Sequence, residues 1–275
     1  MSINSHVQLP NGIIKYFKDE SRSDKKVWYL DIVTGEINPN TARKLGTVYG
    51  YYSDETEDFL NRTIEGPISR VNKKIRSFCA GEIDSISITP KMEPALKKYI
   101  KGAMMRSCRA ICLFYKYDIL APFFSPQSNH DALVQCSINP SEKEDSIDAF
   151  LRGFHLNVLV NKTERNLVVP RNCFYFIRDG NKECIIAPIS PQGALMLQPD
   201  DFSKECIKEG YMSYQVVKES DQIETMNISA LEVEYAYNRD FIASNEKREL
   251  EILQEYLKNN RPELEKLRDE FNAII

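Results

Sequence analysis

Arg106 and Arg109 stand three residues apart in an otherwise apolar stretch, the spacing that puts two side chains on one side of a helix. A guanidinium keeps its charge at any physiological pH, so each must find water or an anionic partner. Two uses follow. One is structural: a salt bridge to a carboxylate such as Glu65, or an exposed helix face. The other is an anion site for phosphate, nucleotide or carboxylate, because the guanidinium fork matches such groups in two-point hydrogen bonds. The histidines are His6, His130 and His155, so a multi-histidine metal site would need all three to converge. His130-Asp131 looks superficially like a metal-dependent phosphohydrolase element, yet a divalent cation wants about four to six donors, and further histidines are absent from the sequence. Cys108 and Cys112 share a helix face, where free cysteine packs as a small hydrophobe. No glycine-rich phosphate loop, Gly-x-Ser-x-Gly elbow or His-Glu-x-x-His motif occurs.

The elements that must position these residues are legible in outline. Residues 27–33 alternate and are rich in β-branched and aromatic types, and Thr34-Gly35 turns them back into Glu36-Ile37-Asn38. A helix starts near Ser53 or Asp54, with Asp54, Glu55, Glu57 and Asp58 as a solvated first stretch favoured by the helix dipole. Its apolar positions Leu60, Ile64, Ile68, Val71, Ile75 and Phe78 form one stripe, which Gly66-Pro67 should kink or divide. A second helix is expected over Glu93–Tyr117, apolar nearly all round after Ala103 and therefore central to the core. Residues 118 to about 148 form a long connection rich in Pro, Ser, Asn and acidic residues.

From His155 the period changes to two. Leu156, Val158 and Val160 point one way, and segments at 165–169, 173–178, 183–189 and 194–198 follow, with Asp179-Gly180-Asn181 as a hairpin signal. This predicts an antiparallel meander. The C-terminus is helical: Leu250, Leu253 and Leu257 form one stripe, and Pro262 restarts a helix with Leu264, Leu267, Phe271 and Ile274 on its apolar face. The charged run Glu246 to Glu251 alternates in sign and reads as a solvated face. The expected class is α+β: a helical N-terminal half packed on an antiparallel β-meander, with C-terminal helices. The chain is expected to form a single domain over 1–275, with a subdivision into 1–125 and 150–275 as the alternative.

Composition sets the outer bounds. Of 275 residues, 42% are hydrophobic and 28% charged, which is ordinary for a globular protein and gives no disordered signature. A net charge of −4 argues against holding nucleic acid by bulk charge, leaving only a local basic patch for that purpose. Seven cysteines, an odd number without a Cys-x-x-Cys pair, fit reduced thiols in a cytosolic protein. The first ten residues lack the basic and apolar regions of a signal peptide, and the apolar run Ile111–Phe124 is too short and too charged to cross a bilayer. A cytoplasmic location is expected.

Several motifs, in order, resemble the bacterial domain-of-unknown-function family 4238. They are His6 to Pro10, the run Ile13-Ile14-Lys15-Tyr16-Phe17, the Trp28 strand ending in Thr34-Gly35, and the helix bearing Ile64-Glu65. Arg106-Ser107-Cys108, the strands at 156–160 and 165–169, Ile186 to Pro191, and Met226-Asn227-Ile228 with Ala236 to Ser244 continue the likeness. The family's Ser-Asp-Asn-Pro is represented here by Pro170-Arg171-Asn172, a base where the family has an acid. What the resemblance implies, residue by residue, is a site drawn from His6, Glu65, Arg106 and Asn172, with Asn227 a further member.

Two functions are weighed. The first is a cytoplasmic binding or regulatory protein without a cofactor, binding a protein partner or an anionic ligand; the company such families keep suggests a host–phage conflict or toxin–antitoxin setting. Arg106, Arg109 and Asn172 would bind the anion. The second is an enzyme on a phosphate-bearing substrate, nuclease-like, with His6 and Glu65 as acid/base and Arg106 on the anion. The second requires His6, Glu65 and Arg106 to converge in one cleft.

Overall fold

The computed structural model describes residues 4–6, 9–49, 54–86, 92–106, 151–179, 182–199, 213–237 and 240–273. In chain order the elements begin with β1 (Asn4–His6), α1 (Asn11–Ile14) running into a 3₁₀ turn at Lys15–Phe17, β2 (Val27–Asp31), β3 (Ile37–Asn40), α2 (Ala42–Gly46) and β4 (Thr47–Tyr49). Three helices follow, α3 (Asp54–Leu60), α4 (Gly66–Cys79) and α5 (Met92–Arg106), with a π-helical turn at Asn61–Glu65 joining the first two. Then come β5 (Phe154–Asn161), β6 (Val169–Pro170), β7 (Tyr175–Asp179), β8 (Lys182–Ser190), β9 (Gly193–Pro199) and β10 (Tyr214–Val217). The chain closes with α6 (Ser220–Tyr237), β11 (Phe241–Ser244), α7 (Lys247–Asn259) and α8 (Arg261–Asn272). The class is α+β.

The β2–β3 hairpin forms where the sequence pattern puts it. Asp31 Oδ1 accepts from the N–H groups of Val33 and Thr34, and Gly35 turns the chain at φ +73°, a conformation that favours glycine. The helical stripe also forms, and just before Gly66-Pro67 a π-helical turn divides it into α3 and α4, as the sequence predicts. Proline has no N–H to give, and the turn before it widens so that Gly66 N–H bonds Asn61 O five residues back. A side chain at 66 would press on that same oxygen. Leu60, Ile68 and Ile75 on this stripe are buried.

The meander needs two corrections. Strands β5, β9, β8 and β7 are antiparallel neighbours, but β10 adds beside β5 in parallel, so the five-stranded sheet is mixed. Residues 165–169 do not join it. They lead into β6, which pairs with β11 in a second sheet ordered β3-β2-β11-β6. That sheet places the N-terminal hairpin against a strand from residue 241 onward. The predicted helix over Glu93–Tyr117 is described to Arg106; the remainder of it, the 118–148 connection, His130-Asp131 and the Cys108/Cys112 pair lie outside the described residues.

The five-stranded sheet is covered on both faces, which explains its near-continuous apolar runs. Leu156, Val158, Val160, Ile185, Ala187, Leu195 and Leu197 pack in one core with Ile13, Ile14, Phe17, Ile68, Ile75, Leu96 and Ile100 of α1, α4 and α5. The intervening residues Leu159, Ile186, Ala194 and Met196 pack in a second core with Ile223, Leu231, Leu250, Leu253 and Leu264 of α6, α7 and α8. Alternation along each strand thus assigns side chains to two cores rather than to core and water. Helix α4 seats closely on the sheet at its C-terminal end, because any side chain at Gly193 would run into Cys79 Sγ. On α8, Leu264 and Phe271 are buried as expected, whereas Leu267 is 38% exposed.

Candidate functional site

Glu65 at the end of the π-helical turn, and Ser69, Asn72 and Arg76 of α4, form a polar row turned toward the N-terminal segment, spaced four, three and four apart. The row runs beside the apolar stripe that anchors the helix. Together with Pro10, Gly12, Ile13, Lys15 and Tyr16, and with Tyr99 of α5, it lines a cleft of about 50 Å³. That volume accommodates roughly three or four waters, or a small head group, with the rest of any ligand outside the mouth.

Arg76 is the charged centre of the cleft. Its guanidinium lies over the ring of Tyr16, whose ring also takes the Lys15 ammonium at 4.9 Å. Its Nε donates to Asn72 O at 3.2 Å, and that is its hydrogen bond among the described residues. Burial lowers the pKa of Arg76, only partly offset by Tyr16 and the Glu82 carboxylate. Asn72 is 4% exposed and its Oδ1 has no hydrogen-bond partner. A buried amide oxygen left without a donor costs about 1–3 kcal/mol, and Asn72 Oδ1 is enclosed on the helix side of the cleft. Ser69 Oγ donates to Gly66 O at 2.8 Å. Glu65 is half-buried on the same wall. At 1.5 Å per residue it lies roughly 16 Å along the axis from Arg76, too far for the two to grip one small reacting group.

Of the candidate site residues named from sequence, Glu65 is the one among the described side chains that lines this cleft. His6 ends β1, where its backbone pairs with Thr47 of β4, and Arg106 is the last residue of α5; both side chains, and Arg109 altogether, lie outside the described residues. Asn172 is elsewhere. It sits fully buried in the turn after β6, before Cys173 at φ +66°, and its N–H points to the Glu234 carboxylate at 3.4 Å. Its side-chain oxygen and nitrogen are both buried without a hydrogen-bond partner, and it lies apart from the cleft on α4. His155 bonds Ser213 Oγ at 3.2 Å, an ordinary hydrogen-bonded histidine. The acidic start of α3 is solvated, Asp54, Glu55 and Asp58 being exposed.

The second core holds a polar group of a different kind. Arg165 gives Nε to both oxygens of Glu249 at 3.0 Å, Nη2 to Oε2 at 2.9 Å and Nη1 to Glu224 at 2.6 Å. Glu249 also accepts from Asn166 N–H at 3.1 Å. Asn227 Oδ1 accepts from Val168 N–H at 3.0 Å, and its Nδ2 donates to Asn166 O at 2.8 Å. Burial works against the charge of Arg165, but the bonds to Glu249 and Glu224 outweigh it and raise its pKa. The expectation that Glu246 to Glu251 form a solvated face fails at Glu249, which is 1% exposed. Asn227 is a member of this network, where it clamps backbone.

A broader groove of about 690 Å³ lies between the hairpin turn at Ile32–Gly35 and the end of α7, with Glu251, Glu255, Lys258 and Arg261 around it. Gln254 Nε2 spans it to Gly35 O at 2.6 Å. Among the described residues no group of three or more His, Cys, Asp or Glu side chains converges for a metal ion, and no helix is long and apolar enough to cross a membrane. No family model, curated protein or solved structure matches the chain, so the likeness to family 4238 stands on its motifs alone.

Proposed function

We propose that this chain is a cytoplasmic binding protein that takes hold of an anionic group of a partner in the cleft between the N-terminal segment and α4. The observation that carries the reading is Arg76: a half-buried guanidinium that lines the cleft and, among the described residues, donates one hydrogen bond, to Asn72 O. Tyr16 fixes the guanidinium plane, and Lys15 adds a second positive charge at the mouth. A binding role of this kind suits the regulatory setting that the family likeness suggests.

The reading is tested by thermal stability in acetate and in inorganic phosphate at constant ionic strength. A rise in melting temperature with anion concentration, lost in Arg76→Gln, is expected. An anion effect of equal size in Arg76→Gln overturns it. The alternative, an enzyme on a phosphate-bearing substrate, draws on Glu65 lining the cleft. It predicts hydrolysis of a generic phosphodiester such as bis(p-nitrophenyl) phosphate, lost in Glu65→Gln and in His6→Gln.

A further inference from the structure

We infer that the solvent-facing half of α4, with Tyr214 at the start of β10, binds a single strand of nucleic acid. Arg70, Lys73 and Lys74 meet its phosphates and the Tyr214 ring takes a base. This goes beyond the cleft reading and stands on residues outside that cleft.

Three observations point there. The first is charge. In a chain of net charge −4, Gly66–Cys79 carries Arg70, Lys73, Lys74 and Arg76 and no acidic residue; Glu65 and Glu82 lie beyond its two ends. With 3.6 residues per turn, Ile68, Asn72, Ile75 and Cys79 bury one side of the helix, and Arg70, Lys73 and Lys74 fan over the other. All three are exposed, and among the described residues none of them is in an ion pair. Nearby cations differ: Arg62 pairs with Asp58, and Lys97 of α5 with Glu93. Lys162 Nζ caps α4 at Cys79 O, at 3.0 Å, and adds a charge at that end.

The second is an aromatic beside the charges. Arg70, Lys74 and Phe78 stand four apart, a row about 12 Å long on one side of the helix. Phe78 meets the Tyr214 ring in a T-shaped contact at 5.0 Å, which takes up at most one face of that ring, and Tyr214 is 55% exposed. Cations that follow a backbone, beside a ring that stacks on a base, hold single strands without reading sequence. A duplex keeps its bases stacked on one another. The third is what the face lacks. Among the described residues α4 exposes no large apolar side chain, the anchor that the centre of a protein interface requires. Affinity there must come from charge, which a strand with a phosphate at every unit supplies.

The experiment is fluorescence anisotropy of labelled oligothymidylate and oligouridylate with the full chain, from low ionic strength upward. Binding of either strand is expected, with log affinity falling against log salt at a slope of about −2 for three phosphate contacts. The triple change Arg70→Gln, Lys73→Gln, Lys74→Gln should weaken it at least about tenfold and flatten that slope. A charge-matched control on α7 and α8, Lys247→Gln, Lys258→Gln, Lys266→Gln, should stay within about twofold of the parent. Tyr214→Leu should lose about fivefold or more, and Tyr214→Phe should match the parent. All these positions are exposed, and circular dichroism checks that each variant folds. The inference is overturned if neither strand binds, or if the control weakens binding as much as the triple change. Equal binding of Tyr214→Leu overturns it too, as does equal affinity for a duplex or for polyglutamate. If the strands fail to bind while phosphate still stabilises the parent but not Arg76→Gln, this inference falls and the cleft reading stands; strand binding without that stabilisation does the reverse.

Discussion

Two arginines flank the same five-stranded sheet and live by opposite rules. Arg165, in the core under α6 and α7, is surrounded: two carboxylates take its donors, and one of them, Glu249, is further bonded to the backbone of Asn166. Arg76, on the other side, gives Nε to Asn72 O and turns the rest of its fork toward a cleft. The pKa directions follow, raised for Arg165 by its bonds to carboxylates and lowered for Arg76 by burial. The same side chain is structural where its donors are saturated and available for binding where they are not. The two asparagines repeat the contrast. Asn227 spends both ends of its amide on the chain, whereas Asn72 leaves its oxygen without a donor.

The contrast is easiest to break at Glu249. Glu249→Ala leaves Arg165 with the half-exposed Glu224 alone and orphans the N–H of Asn166, and should cost about 3 kcal/mol in urea unfolding. The pair Arg165→Met with Glu249→Leu should cost distinctly less than that single change, since both charges then go. A loss below about 1 kcal/mol in Glu249→Ala would mean that the network does not hold this core. Next in size is Asn227→Leu, which orphans the N–H of Val168 and the carbonyl of Asn166 and should cost about 2 kcal/mol or more.

The matched change Asn72→Leu removes a side-chain oxygen that has no partner. It should be neutral to stabilising by up to about 1 kcal/mol, the gain from deleting an unsatisfied buried polar atom. If it destabilises as much as Asn227→Leu, Asn72 is structural and the comparison collapses. Arg76→Gln should move stability by no more than about 1 kcal/mol while removing the response to anions, because its charge is used by the ligand more than by the fold.

The smallest effect concerns the seat of α4. Burial pushes the Cys79 thiol up to about 12, against about 9 when unfolded. The folded state therefore holds this proton where the unfolded state loses it. The contribution is intact below about pH 9 and fades as pH rises from there toward 12. At pH 8 Cys79 should react with iodoacetamide only as fast as the chain opens; prompt labelling would show that α4 sits loosely on Gly193.

Local chemistry made much of this fold readable. The Asp31 and Gly35 turn, the α4 stripe of Leu60, Ile68 and Ile75, and the restart at Pro262 all depend on contacts within a few residues. The polar row Glu65-Ser69-Asn72-Arg76 was equally present in the helical spacing. Spacing alone gives that row no meaning, which depends on whether another segment covers it. Charge pattern misled at Glu249, where the partner that buries it, Arg165, is 84 residues away. The same distance problem sent 165–169 to the wrong sheet, since β6 pairs with β11 across some seventy residues that propensity cannot see.

By itself the sequence determined periodicity, turns and helix ends, because those are written in backbone preference and in which residues share a face. Only the tertiary structure decided which polar side chains are satisfied. Arg165 and Arg76 are chemically identical, and the difference between a core clamp and a binding group lies in what the fold brings within 3 Å of each guanidinium.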